Sequence, residues 1–295
     1  MPEVSVVIPM YNGEKFIAEA LESVLASEGV QPEIIVVDDG SSDSSAQIAQ
    51  SYAGVIVHRQ PNGGEAAARK TGYEMATGDF IVFLDCDDLL HPQAIQHHLA
   101  EIKASDEIDM VFGSNILIDE QGNKIGENIQ HRRLFSGQDV VMHTTPVPSQ
   151  CMYRRSALQR IGGFRQEVRA CADTDLNLRL LGWRKAGLCH GKMVMSYRIH
   201  GAQMTRSPSR LFNHHVGVLQ DVLGPNGVLE NPELLAKGRR YWSEYYGQFI
   251  PAEIVRAISR REGARTKLAI STFFRTMPHS AKGAMRFAGR KLTGR

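Results

Sequence analysis

No apolar run in this 295-residue chain approaches the length of about 18 residues that a bilayer-spanning helix requires. Nothing in it is therefore expected to cross a membrane. The opening MPEVSVVIPMY places no basic segment ahead of its apolar stretch, so no secretory leader is expected. Cysteines number four (Cys86, Cys151, Cys171, Cys189), and they lie far apart with no CxxC pair. A chain of this size does not need disulfide staples, and the four read as buried thiols in the reducing cytosol. Neither GxGxxG nor GxxxxGK[ST] occurs, so a dinucleotide fold and a P-loop NTPase are unsupported. Internal repeats and low-complexity segments are also missing.

What is present has the balance of a globular protein. Hydrophobic residues make up 42% and charged ones 22%, with 27 Gly and 12 Pro, which excludes disordered, collagenous and coiled-coil classes. The length fits one large unit or two smaller ones. A net charge of +2 conceals a polarised distribution. Residues 256–295 hold 11 Lys and Arg against the single acid Glu262, leaving 23 basic and 31 acidic residues elsewhere. A mildly acidic body with a basic tail implies different partners for the two parts.

The first half alternates apolar runs with helical spacing. Ser5–Tyr11, Glu33–Gly40 (ending in its two acids and the Gly), Val55–His58 and Phe80–Leu84 read as strands without polar alternation. Between them lie helical patterns from Glu14 to Leu25, from N-cap candidates at Ser41–Ser45 towards Tyr52 and from Glu65 to about Ala76, and another helix is expected to start near Pro92. That order predicts an α/β fold, a mostly parallel sheet covered by helices on both faces. Ligands of such sheets bind beyond the carboxyl ends of the strands. Those ends carry Pro9–Asn12, Asp38–Ser42 and Asp85–Asp88. Beyond Asp119 a hairpin is expected over KIGENIQ, loop and irregular strand over 139–154, a helix over 173–181, and mostly helix after Arg206.

Asp85, Asp87 and Asp88 follow directly on a strand apolar enough to be buried. Two carboxylates about 4 Å apart repel by roughly 4 kcal/mol at an effective dielectric near 20. Such a group needs protonation, basic neighbours or a cation, and oxygen ligands suit Mg²⁺ or Mn²⁺ shared with a phosphate. The plain alternative is that Asp87 and Asp88 merely cap the next helix. Arg69 and Lys70 are the candidate phosphate contacts, with a solvated helix face as the alternative for one of them.

Four stretches then resemble the family 2 glycosyltransferases of GT-A fold: SVVIPMYNGEKFIAEALESVL, IIVVDDGSSD, NGGEAAARKTGYEMATGDFIVFLDCDD, and ADTDLNLRL after IGGF. YRIHGAQMT is a fainter echo. The resemblance implies a GT-A-type Rossmann-like sheet with a donor half at 1–113, an acceptor half at 114–205 and a helical extension at 206–295. It implies a nucleotide diphosphate-sugar donor, with UDP favoured, and an inverting transfer to a glycan or lipid-linked acceptor in surface polysaccharide synthesis. By position Pro9 and Tyr11 would flank the nucleobase, and Asp39 would accept from it, the alternative being a turn-stabilising Asp. Arg69 would approach the diphosphate. Asp85 would face the ribose, with Asp87 on the metal and His200 completing its shell. Asp173 matches the catalytic base, with Asp175 as rival; on one helix the two point about 200° apart.

There are departures from the family pattern. Ala172 stands where an acid is usual, Lys70 where Asn is common, and IGGF is followed by Arg165-Gln166 rather than an acid. No QxxRW element appears, which argues against a processive synthase. In 281–292 the apolar residues share a stripe beside Lys282, Arg286 and Arg290, as in a helix lying on an anionic membrane surface; packing on the body is the alternative. Nucleic acid is not expected, because no stacking aromatics interleave the cations. The location implied is cytoplasmic, peripheral on the inner face of the membrane. A sugar nucleotidyltransferase and a catalytically silent nucleotide- or lipid-binding protein stay open as other readings.

Overall fold

A computed structural model of the chain describes residues 2–143, 145–182, 186–201 and 207–276. It resolves into two compact units, Met1–Val140 with Thr145–Gly201, and Val141–Thr144 with Ala202–Arg295. The amphipathic stripe expected over 281–292 lies outside the described residues.

The first unit is built on a ten-stranded mixed sheet whose main path runs β3-β2-β1-β4-β9-β6-β10-β5. One side is wholly parallel: β1 (Val4–Met10), β2 (Glu33–Asp38), β3 (Val55–Arg59) and β4 (Phe80–Phe83). β1 owes its central place to composition, since all seven of its residues are buried. Each Val or Ile so buried contributes on the order of 1.5–3 kcal/mol. α1 (Ile17–Leu25), α2 (Ser45–Gln50) and α3 (Glu65–Met75) supply the crossovers. α3 lies flush on the sheet because residue 72 is glycine; a Cβ there would meet Val7 Cγ1 at 2.3 Å and Val37 Cγ2 at 3.0 Å. The helix expected from Glu14 starts three residues later at Ile17, because Gly13 O already accepts from Phe16 N and Ile17 N in a tight turn.

Past β4 the sheet becomes mixed. β5 (Leu89–Leu90) leads into α4 (Ala94–Ile102) and the long β6 (Ile108–Ile118), which turns at Asp119–Asn123 into β7 (Lys124–Asn128). β8 (Arg133–Phe135) and α5 (Gly137–Met142) follow. A 3-10 turn at Pro148–Gln150 then delivers β9 (Cys151–Arg154) between β4 and β6, antiparallel to both. The span expected as loop and irregular strand thus ends in a central strand, four residues long, fixed by its neighbours rather than by its own pattern. α6 (Arg155–Ile161) and α7 (Ala172–Leu181) lead to β10 (Ala186–Arg198), whose register against β6 slips at three places.

The second unit contains α8 (Pro208–Leu223), α9 (Pro232–Gly247), α10 (Ile250–Ser259) and a helix over 263–276. α9 starts where its sequence says it should: Asn231 Oδ1 accepts from Leu234 N at 2.9 Å and Pro232 opens the first turn. Its core is Trp242, whose ring lies 3.8 Å from that of His215 at a tilt of 40°, and which donates to Val141 O at 2.8 Å.

His98 on α4 and His190 on β10 meet with ring nitrogens 3.0 Å apart. Burial pushes His190 down to about 4 and His98 well below its ordinary value. Glu101 works against that shift at His190, while His97, Lys192 and Arg132 reinforce it. With both folded values depressed, the unfolded chain binds more protons once pH drops below about 6.5. Stability is therefore full above that point and is lost on acidification. The melting temperature should be lower at about pH 5 than at about pH 7.5, and the H98N/H190N pair should flatten that slope.

Candidate functional site

The carboxyl ends of β1, β2 and β4 converge, as a parallel sheet requires, and hydrogen bonds lace their loops together. Asn12 adopts φ 50°, donating from its N–H to Ser41 Oγ at 2.9 Å while its Oδ1 accepts from Ser42 N at 2.8 Å. Gly13 N donates to Ser45 Oγ at 2.8 Å. This scaffold leaves Pro9 buried and Tyr11 54% exposed, so the tyrosine ring is presented to solvent beside the strand ends.

Asp39 is 3% exposed. Its Oδ1 accepts from Gln60 Nε2 and Gly63 N, both at 2.8 Å, and its Oδ2 accepts from Gly64 N at 2.7 Å. The carboxylate therefore fixes the turn that launches α3 at Glu65. From α3 Arg69 reaches back under the strand ends. Its guanidinium is buried between the carboxylates of Asp85, at 2.5 Å, and Glu65, with the Phe164 ring 5.4 Å away. Lys70 goes elsewhere, 3.9 Å from Glu74, and is the one with the solvated helix face.

Among the described residues, Asp85, Asp87 and Asp88 form the one group of acids, histidines and cysteines whose ligand atoms all lie within 4.8 Å of one another. Burial and the neighbouring Asp85 charge raise Asp87, while contact with His200 opposes the shift. Asp88 is raised well above the usual range, chiefly by burial and then by Asp87 and Asp85. The two differ in availability. Asp88 Oδ1 accepts from Arg198 N at 3.0 Å, a structural tie, whereas Asp87 Oδ2 faces His200 Nε2 at 2.8 Å. Asp87 and His200 thus place an oxygen and a nitrogen side by side, where the two would serve as ligands of a hard cation. Carboxylates crowded together, with an imidazole beside them, are a donor set suited to Mg²⁺ or Mn²⁺.

Asp173 enters on the first turn of α7, after Cys171 in a left-handed conformation at φ 57°. Burial raises its carboxyl above the ordinary value, and Asp85 adds to this, while first-turn N–H groups and Arg69 oppose it. Asp175, two residues on, is spoken for: Arg179 donates to it at 2.7 and 2.9 Å, and Arg165 pairs with it as well. Of the two acids only Asp173 is left without a salt bridge among the described residues.

Three participants were not read from the sequence. Glu65, four residues before Arg69, was legible as an i, i+4 pair. Ser149, whose Oγ accepts from Asp85 N at 3.1 Å, had no local signal. Arg198 is fully buried, donating to Asp87 O at 2.9 Å, Glu120 O at 3.0 Å and Glu19 Oε2 at 2.7 Å. Its partners are distant in sequence, and no pattern along the chain announces them.

Comparison with known proteins addresses the whole assembly. Residues 5–162 match the family described as Glycosyl transferase family 2. An uncharacterized glycosyltransferase of Rickettsia typhi is 29% identical over 213 residues, 70% of this chain and 67% of that protein. The uncharacterized glycosyltransferase EpsJ of Bacillus subtilis is 40% identical over 115 residues, covering 38% of this chain and 33% of EpsJ. In structure, S. aureus TarS 1-349 in complex with UDP-GlcNAc aligns with a TM-score of 0.65 at 18% identity, over 99% of this chain and 92% of that one. At that identity the likeness establishes a shared fold.

Breaking the Asp175 network should be costly, because it strands two arginines against a buried site. D175N is expected to lower stability by about 3–5 kcal/mol, read as a shifted urea midpoint at unchanged slope.

Proposed function

The chain belongs to glycosyl transferase family 2, and from that premise we propose that it transfers a sugar from a nucleoside diphosphate, UDP favoured, to a glycan or lipid-linked acceptor with inversion at the anomeric carbon. The observation that carries the reading is the acidic corner beyond β4, where Asp85, Asp87 and Asp88 converge within 4.8 Å at the strand end. The TarS neighbour is described in complexes with UDP-GlcNAc and with UDP, which supports a nucleoside diphosphate-sugar as donor.

Each residue then has a task its surroundings suit. Tyr11 offers an exposed ring to the base, with Pro9 beneath it at the end of β1. Asp39 takes the base N–H through the lone pairs its loop contacts leave unused. Arg69, already pre-set by two carboxylates, orients the diphosphate, and Asp85 faces the ribose. Asp87 and His200 hold Mg²⁺ or Mn²⁺, which when bound stabilises negative charge on the departing nucleoside diphosphate. Asp173 accepts the proton of the acceptor hydroxyl as its oxygen attacks, and its raised affinity for a proton suits that role.

On the same reading the enzyme serves surface polysaccharide or lipopolysaccharide synthesis in the cytoplasm, peripheral at the inner face of the membrane. α10 and the helix over 263–276 favour this: Val255, Ile258 and Phe274 are 68%, 58% and 64% exposed, on elements that also carry Arg256 and Lys267, with Arg260 at the C-cap of α10. A basic residue near an anionic surface contributes about 1 kcal/mol.

A panel of UDP-, GDP- and dTDP-sugars with Mn²⁺ should release free nucleoside diphosphate. D87A should abolish the divalent-dependent turnover, and D173N should lower kcat by about 10²–10⁴-fold with donor KM little changed. Unchanged turnover in D87A would refute the metal assignment, and binding without turnover in the wild type would favour a silent protein. Separately, the protein should co-sediment with anionic but not zwitterionic vesicles, and should detach as salt rises.

A further inference from the structure

The second unit contains a cavity of about 590 Å³ that the transferase reading does not use. Its floor is apolar, formed by Phe212 and Val216 of α8 and Leu235 of α9. Its charged lining is of one sign: Arg239 and Arg240 from α9, and Arg275 from the helix over 263–276. Among the described residues, no carboxylate lines it. The size falls in the ordinary range of small-molecule sites, about 300–1,000 Å³.

The guanidiniums are held in place without being neutralised. Arg239 donates to the neutral amide of Gln220 at 2.8 Å, and Arg275 to Asn213 Oδ1 at 2.7 Å. Asn213 is itself fixed, its Nδ2 donating to Ser209 O at 2.8 Å and Thr272 Oγ1 at 2.9 Å. Arg275 lies 6.0 Å from the Phe212 ring, so the cation sits over the apolar floor. Of the three, only Arg240 has an acidic neighbour among the described residues, Glu244 at 3.4 Å. Residues 277–295 are a poor occupant, because Lys282, Arg286, Arg290, Lys291 and Arg295 would set like charge against like.

We propose that this cavity is a seat for an organic phosphate with an apolar chain, its phosphate gripped by Arg239 and Arg275 and its first carbons laid against Phe212, Val216 and Leu235. Guanidinium forks match phosphate oxygens in pairs, and the apolar floor rewards a ligand that brings hydrocarbon with it. A membrane lipid and a free acyl or prenyl phosphate share this chemistry. The proposal stands apart from the transferase reading, since it concerns binding in the absence of sugar nucleotide and divalent ion.

The test is calorimetric titration of the full chain, without metal, using inorganic phosphate, glucose 1-phosphate and dihexanoyl phosphatidic acid below its micellar concentration. The lipid phosphate should bind at least about tenfold more tightly than the other two, and R239Q/R275Q should remove that advantage. R239K/R275K, which keeps the charges, should retain most of it, and far-UV circular dichroism checks that each variant keeps its helices. Equal affinity for all three ligands would overturn the apolar half of the proposal. Wild-type affinity in R239Q/R275Q would overturn the whole. Should vesicles containing long-chain phosphatidic acid displace the soluble ligand, the membrane is the source; should they fail to, a free phosphate is.

Discussion

Five carboxylates, those of Glu65, Asp85, Asp87, Asp88 and Asp173, crowd the region beyond β4 around the guanidinium of Arg69, and much of the first unit serves to make that charge balance tolerable. Arg69 sits between Glu65 and Asp85, and its field also reaches Asp173. Take it away and the acids repel across a partly dry pocket, at roughly 4 kcal/mol for each close pair. The helix that carries Arg69 must therefore lie tight against the sheet, which is what Gly72 permits. Asp39 contributes by fixing the turn from which that helix departs. Fold and site are thus joined through one side chain.

A division of labour among the acids follows from their partners. Asp88 and Asp175 are tied to arginine, through the Arg198 backbone and through the side chains of Arg165 and Arg179 respectively. Among the described residues the Asp87 and Asp173 carboxylates have no salt bridge to an arginine, and both hold their protons more tightly than solvated aspartates do. Neighbours in sequence have in this way been sorted into acids tied to arginine and acids that are not. The departures from the family pattern fit this sorting: Arg165, where an acid is usual, has become a partner of Asp175.

How far the sequence was legible depended on whether the deciding contacts were local. β1 to β4 could be read because each is an apolar run followed by helical spacing, and the strand-end acids could be located from topology alone. The i, i+4 pairs Glu65–Arg69 and Asp175–Arg179 were within reach for the same reason. β9 was not, because four residues carry too little periodicity and its antiparallel slot is imposed by β4 and β6. β10 escaped because its bulges break the alternation that marks a strand. With it went Arg198 and the company it keeps.

That last strand has a bearing on how the protein comes into being. Arg198 ties Glu19 to Asp87 across most of the length of the first unit, and His200 reaches Asp87 from the same segment. A nascent chain still short of that segment can assemble the parallel strands, yet it has nothing to close their acidic end. Non-local closures of this kind are slow, since loop entropy must be overcome before the contact is gained. Competence should therefore arrive late in synthesis and abruptly, the earlier part of the polypeptide waiting as an unfinished basin for its final wall.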